Sequence, residues 1–335
     1  MSVGTVGNYR VLHLIGEGGM GSVFLGEDKQ SGEQVAIKVL NRATVDKDGQ
    51  LLARLRREGE ALRRLNHPNI VKIIDVIEGA EQYSIVMEYV PGGTLGDLLR
   101  NPGLMPMDRV LKIGLELADA LARAHHLKII HRDIKPGNVL IAADGTPRLT
   151  DFGLARSEGD SELTQSGALV GTYHYLSPEA LRLAPPDVRQ DIWAFGVLIY
   201  EMVTGRRPFD GDSPAIVMTN ILQLTLPDPQ QFHNGLPLRL VHLIRMMLDK
   251  NPEARISSMR RVGAELEEII DNLDSGVREQ FSSDLIRMVG QGRFDTPSPT
   301  PVSSGLLEDS KTLTDNDFIS PPPSPLPITQ GTQAT

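Results

Sequence analysis

The chain reads as a two-lobed α+β protein, with a small antiparallel β-sheet lobe carrying one helix and a larger, mainly helical lobe. Three observations predict this. β-type runs crowd the first ninety residues, helical periodicity takes over from Leu95, and the proline–glycine break "EYVPGG" lies between them.

Taken in order, the first strands are Tyr9 to Ile15, Ser22 to Glu27 and Gln34 to Leu40. The first two flank "GEGGMGSV", residues Gly16 to Val23, a GxGxxG pattern. Glycines at this spacing let a backbone approach phosphates closely, because they lack side-chain bulk and tolerate positive φ. The same pattern opens dinucleotide-binding folds, which need a helix after the last glycine and an acidic residue roughly 20 positions further on. Here Gly21 is followed by a strand, and residues 36–41 read "AIKVLN" with no acid. Asp48 to Leu65 is expected to be helical, with Leu51, Leu55, Leu62 and Leu65 on one face, and "HPNI" ends it. Ile70 to Ile77 and Tyr83 to Tyr89 are two further strands. The second lobe follows with helices at Leu95 to Arg100, Met107 to His126, Asp187 to Thr204, Ala215 to Gln223, Leu236 to Leu248 and Ser258 to Leu273. A short hairpin, Val139 to Ile141 and Arg148 to Thr150, turns at "ADG".

Composition narrows the function. The chain has no cysteine, so disulfides and thiolate metal sites are excluded and a reducing compartment is expected. A formal net charge of −9 argues against general nucleic-acid binding. No secretory h-region and no long apolar run are visible, so neither export nor membrane insertion is expected, and a cytoplasmic location is the default.

The chemistry is concentrated in "HRDIKPGNVLIAADGTPRLTDFGLAR", residues 131–156, which puts Asp133, Lys135, Asn138 and Asp151 on two loops flanking the hairpin. A single loop aspartate is ordinarily a turn former. This set, together with "VAIKVL" and the glycine loop in the same order, is not explained by turn chemistry. Glu58 adds an independent sign: it lies three residues after Leu55 and four before Leu62, on an apolar helix face where a carboxylate is costly unless paired.

These motifs resemble the eukaryotic-type (Hanks-type) protein kinases from about Tyr9 to Leu273, with the wording "GEGGMGSV", "HPNIV", "HRDIKPGNVL" and "YLSPE" most like the bacterial serine/threonine protein kinases. The matching elements are GxGxxGxV, VAIK ending at Lys38, HRDxKxxN, DFG at Asp151 to Gly153, "GTYHYLSPE" with Ser177 where most members have alanine, "DIWAFG" and "NPEARIS". The resemblance implies a bilobal protein-kinase fold, with an N-lobe of about 9–89 and a C-lobe of about 92–273. It also implies ATP and Mg²⁺ (with Mn²⁺ as an alternative) as cofactors, and protein substrates.

Phosphoryl transfer depends on positioning and charge neutralisation more than on covalent help. By resemblance, Lys38 holds the α- and β-phosphates and pairs with Glu58, while Asn138 and Asp151 hold the metal with hard oxygens. Asp133 orients the substrate hydroxyl and accepts its proton, and Lys135 stabilises the transferring phosphate. Ile15, Gly16, Gly18, Gly21, Val23, Ala36 and Leu140 surround the nucleotide, Met87 is the gatekeeper, and the backbone of Glu88 and Val90 meets adenine. Leu62, Ile73, His131 and Phe152 form a regulatory stack, and His131 is not a metal ligand. His125 and His126 are read as helix-end residues without chemistry. Lys135 and Thr172 imply serine/threonine substrates, Thr164 and Ser166 autophosphorylation, and Arg132 a partner for the resulting phosphate. Arg255 is expected to pair with Glu179. A nucleotide-binding scaffold is the alternative, but it would commonly lack one of Lys38, Asp133, Asn138 and Asp151, and all four stand here.

Beyond a helical extension at 274–290, the segment 291–335 holds eight of the chain's 23 prolines and only two aromatics, so it is expected to be disordered. Its "SPPPSPLP" run and Ser/Thr-Pro sites suit a proline-rich-binding or phosphopeptide-binding partner. The resemblance also allows a transient kinase dimer.

Overall fold

The structure is a computed structural model that describes residues 4–18, 21–41, 63, 65–79, 82–101, 103–152 and 173–273. Contacts divide the chain into two units, Met1–Phe281 and Ser282–Thr335, and all described residues belong to the first. The expected helix at 48–65 falls almost wholly outside them, as do the 274–290 extension and the tail.

The N-lobe is one antiparallel sheet of six strands: β1 (Thr5–Val6), β2 (Tyr9–Gly18), β3 (Gly21–Asp28), β4 (Gln34–Asn41), β5 (Ile73–Glu78) and β6 (Gln82–Glu88), in the order β1-β2-β3-β4-β6-β5. Side chains alternate faces along a strand, and β4 shows what this does. Val35 and Ile37 are buried with Val86, Tyr9 and Val6 on one face. Ala36 and Leu40 point to the other and join the main core with Tyr83, Ile85 and Met87. Lys38 shares that second face, so the lysine is aimed into the cleft by parity alone.

The glycine pattern forms the tip of the β2–β3 hairpin, where Gly16 pairs with Val23 and Gly18 with Gly21. Gly21 has φ of 144°, and a Cβ there would lie 2.0 Å from the Val39 carbonyl oxygen. Only glycine fits.

The C-lobe is built on helices α1 (Leu95–Leu99), α2 (Met107–His126), α3 (Pro178–Leu181), α4 (Val188–Thr204), α5 (Pro214–Gln223), α6 (Leu238–Met247) and α7 (259–273). α2 buries Val110, Leu111, Leu117, Leu121 and Ala124, the apolar stripe that predicted it. α4 is buried nearly all round, from an Asp187 N-cap to a left-handed Gly205. A Cβ on Gly196 would lie 2.8 Å from Met247 Cβ, so this glycine permits close approach of α4 to α6. Among the described residues, no helix is long and apolar enough to cross a membrane.

Two joints matter for the site. At Gly92, φ is 129°, and a Cβ would meet the Ile141 carbonyl oxygen at 2.2 Å. The next residue, Gly93, accepts from Ile141 N–H at 3.0 Å. The hairpin of β7 (Val139–Ile141) and β8 (Pro147–Leu149) is thereby held against the segment linking the lobes. The second joint corrects the expected strand starting at Ile70. Leu149 N–H donates to Asn69 O at 2.8 Å and Val71 N–H to Leu149 O at 2.9 Å. Residues 69–71 are thus hydrogen-bonded to the C-lobe hairpin, and the sheet strand begins only at Ile73. Leu65 is buried but non-helical, so the helix expected to run to it stops short.

Candidate active site

The cleft gathers residues from both lobes. From β4, Lys38 Nζ reaches Asp151 Oδ1 at 2.6 Å, joining positions 113 apart in sequence. Asp151 follows β8 and adopts φ of 57°. A non-glycine residue in that left-handed region is strained, a state that persists where the surroundings impose it. Arg132 is similarly left-handed, with φ of 66°.

Beside Asp151 in the C-lobe lies the loop 131–138, joined to it through Thr150. Asp133 Oδ2 accepts from Lys135 Nζ at 2.8 Å and from Asn138 Nδ2 at 2.8 Å, and Asn138 Nδ2 also donates to the Asp133 carbonyl at 2.8 Å. Two of the four loop residues singled out in the sequence therefore converge on one carboxylate oxygen of a third. Asn138 commits its amide nitrogen to Asp133, which leaves its amide oxygen for a cation. Its N-terminal neighbours form a short 3₁₀ turn, and Asn138 O accepts from Thr150 N–H at 3.0 Å, tying this loop to the one bearing Asp151.

Buried Asp191 anchors the loop from below. Its Oδ2 accepts from His131 N–H at 2.8 Å and its Oδ1 from Arg132 N–H at 2.9 Å, while His125 Nε2 lies 2.8 Å from Oδ2. His125 lies in the last turn of α2, as the helix-end reading expected, and from there its ring supports the aspartate that holds the loop. The sequence carried a signal for Asp191: a carboxylate at the head of the apolar run "IWAFGVLIY" must be paired if it is buried.

His131 is fully buried, with its ring centroid 4.4 Å from that of Phe152. Its Nε2 donates to the Thr150 carbonyl at 3.0 Å and its Nδ1 accepts from Asp133 N–H at 3.3 Å, so both ring nitrogens are engaged in the neutral form. Burial holds its pKa below the ordinary histidine value, against the upward pull of the Asp191 and Asp133 carboxylates. Ile73 and Phe152 share the main core.

The side of the cleft expected to face a nucleotide is apolar. Ala36, Met87 and Val90 are buried, and Val23 and Leu140 pack against the same core. Ile15 is exposed at the hairpin. Glu88 ends β6, and its carboxylate forms an ion pair with Arg148 of β8.

Farther down the C-lobe, Arg255 makes a bidentate pair with Glu179, Nη1–Oε1 at 2.8 Å and Nη2–Oε2 at 3.0 Å. Burial pushes Glu179 up, but the Arg255 guanidinium outweighs it and holds the carboxyl below its usual value. Sequence reasoning missed one further pair: the Tyr175 hydroxyl donates to Glu201 on α4. Burial raises the pKa of both groups. Glu58, Leu62, Gly153, Thr164, Ser166 and Thr172 lie outside the described residues.

Among the described residues, no cluster of three or more histidine, aspartate or glutamate side chains is placed to hold a metal ion alone. The amide oxygen of Asn138 and the carboxylate of Asp151 instead suit a hard cation that completes its coordination with phosphate oxygens and water.

A strand hairpin of glycines, a lysine–aspartate pair across a cleft and a loop of Asp, Lys and Asn define the class, a bilobal phosphotransferase fold. The chain belongs to the protein kinase family: the model of the protein kinase domain matches residues 9–266. The serine/threonine-protein kinase PrkC of Bacillus subtilis is 37% identical over 265 residues, 79% of this chain and 41% of that protein. PknB of Mycobacterium leprae is 34% identical over 311 residues, 90% of this chain and 50% of that protein. PknL of Mycobacterium bovis is 37% identical over 265 residues, 79% and 66%. The aligned part thus spans between 41% and 66% of the length of these three bacterial relatives.

Proposed function

We propose that this chain is a serine/threonine protein kinase that transfers the γ-phosphoryl group of ATP to protein hydroxyls, in cytoplasmic signalling. The observation that carries the reading is the convergence of Lys135 and Asn138 on Asp133, in a loop hydrogen-bonded to the one whose Asp151 pairs with Lys38.

In this reading Asp133 orients the substrate hydroxyl and takes its proton, and Lys135 neutralises charge developing on the transferred phosphoryl group. Lys38 is the point charge for the α- and β-phosphates, with Glu58 as its partner. Bound Mg²⁺ (or Mn²⁺) supplies charge neutralisation at the phosphate oxygens, and Asn138 and Asp151 are the residues to hold it. Backbone amides of Gly16, Gly18 and Gly21 cover the phosphates. Val23, Ala36 and Leu140 sandwich adenine, Ile15 lies at its edge, Met87 is the gatekeeper, and the Glu88 and Val90 backbone forms its polar edge.

Lys135 with Thr172 favours serine and threonine over tyrosine substrates. Thr164 and Ser166 are the proposed autophosphorylation sites, with Arg132 as the phosphate's partner. The tail is the proposed partner-binding segment, and dimerisation of the kinase domain is the proposed context for phosphorylation in trans.

The test is incubation with ATP and Mg²⁺ followed by phosphosite mapping, with Asp133→Asn as control. Phosphate on the chain itself or on a generic protein substrate, absent in the control, is the expected outcome. No transfer at all would leave a nucleotide-binding scaffold. If Thr164→Ala combined with Ser166→Ala leaves activity unchanged, the activation-loop proposal is wrong.

A further inference from the structure

We propose that Arg148, through its ion pair with Glu88, is a positioning residue that sets the hinge backbone for the nucleotide's adenine; this rests on the nucleotide-binding reading above.

Glu88 is held at three points. Its N–H donates to the Lys72 carbonyl at 2.9 Å, its Oε2 accepts from Lys72 N–H at 3.4 Å, and its Oε1 accepts from Arg148 Nη1. The carboxylate thus bridges from the end of β6 to β8, between the sheet lobe and the C-lobe hairpin.

Arg148 is a rigid base for such a bridge, because both its neighbours are pinned. The Pro147 carbonyl accepts from buried Asn69 Nδ2 at 2.9 Å, and Leu149 is bonded on both sides to Asn69 and Val71. Arg148 stands opposite Leu140 in the hairpin, the residue expected against the base. Three positions on, the same chain presents Asp151. One short strand and the residues directly after it therefore carry a grip on the hinge and the carboxylate facing Lys38.

Stability alone explains the arginine poorly. Its Nε is buried with no partner among the described residues, an unmade hydrogen bond that works against the fold. A guanidinium that leaves one nitrogen unsatisfied while committing another to a hinge residue is better explained by orientation. The pair's side chains are 26% and 34% exposed, so solvent screens it only in part. Fixing the hinge before the base arrives spares the ordering cost on binding.

The experiment uses the full chain and ADP bearing a fluorescent group on the ribose, titrated into wild type, Arg148→Met, Glu88→Gln and the double variant, with a thermal melt of each. We expect each single substitution to weaken nucleotide binding roughly three- to tenfold, the scale of a partly buried charge-assisted pair. We expect the double variant to be no weaker than the worse single, since the second change removes nothing more. In turnover assays KM for ATP should rise by more than kcat falls. Binding unchanged within about twofold in both singles, or losses that add in the double, would overturn the proposal. If Arg148→Met does not fold, Glu88→Gln, which keeps shape and an acceptor, decides alone by the same twofold limit. Wild type failing to bind the nucleotide would instead sink the kinase reading.

Discussion

Lys38 and Asp151 reach their 2.6 Å contact from a strand of one lobe and a loop of the other, so neither position has a structural reason to be charged apart from the other. Replacing the aspartate with asparagine keeps the shape and removes the charge. If Asp151 holds the metal, Asp151→Asn lowers kcat by at least about two orders of magnitude, the usual effect of losing one preorganised electrostatic contact, while the melting temperature changes little; steady-state kinetics with a generic substrate check it. Arg255 makes the opposite case. It is 3% exposed, bonds Glu179 twice, donates to the Asp249 and Arg189 carbonyls and lies 5.2 Å over the Trp193 ring. Arg255→Met strands a buried carboxylate and should cost about 3–5 kcal/mol in denaturant unfolding. The pairing of Glu179 with Arg255 was legible in the sequence because the family motifs carry both residues. The partner of Tyr175 was not, because nothing in local spacing links it to Glu201 on a helix 26 positions away.

At the level of elements, α2 begins and ends where its periodicity said, since a 20-residue amphipathic stripe leaves little freedom. The strands of the N-lobe were legible for the same reason, with alternation deciding their faces. Residues 69–71 were not. Their apolar character suits either sheet, and only the Leu149 backbone, some 80 positions downstream, decides which one they join. Asp191 shows the same limit, for its partners are backbone N–H groups of a loop from another part of the chain. That anchoring makes a prediction about the loop as a unit. In Asp191→Asn the amide can offer one acceptor oxygen where the carboxylate satisfies His131 N–H and Arg132 N–H with two. The loop should loosen, with kcat reduced about tenfold or more and roughly 1–3 kcal/mol of stability lost. Hydrogen exchange at His131 and Arg132 checks it: protection should fall there before it falls in α4.

On the scale of the whole molecule, the buried core around the cleft contains a titratable ring that the fold keeps neutral. His131 is surrounded by the carboxylates of Asp191, Asp133 and Asp151, yet burial dominates and its pKa lies below the ordinary 6.5. Its two ring nitrogens explain why protonation finds no place: Nε2 already donates to Thr150, and a proton on Nδ1 would face the Asp133 N–H. The unfolded chain takes up this proton as pH falls below about 6.5, and the folded chain does not. The stability attributable to His131 is therefore fully present above pH 6.5 and is lost on acidification toward the folded value, at up to about 1.4 kcal/mol per pH unit. Glu201 acts in the opposite sense, because its raised carboxyl pKa favours the folded state as pH falls toward 4.5. A raw stability profile mixes the two, so the comparison must be made against a variant. His131→Phe keeps a ring against Phe152 and removes the titration. It should be less stable than wild type at pH 7.5, through the lost bonds to Thr150 and Asp133, and the gap should narrow as pH drops to 5.5. Denaturant unfolding of both proteins at several pH values measures that gap. Parallel profiles would mean that the ring takes up its proton equally in the folded and unfolded chains, and that the packing around Phe152 tolerates an imidazolium.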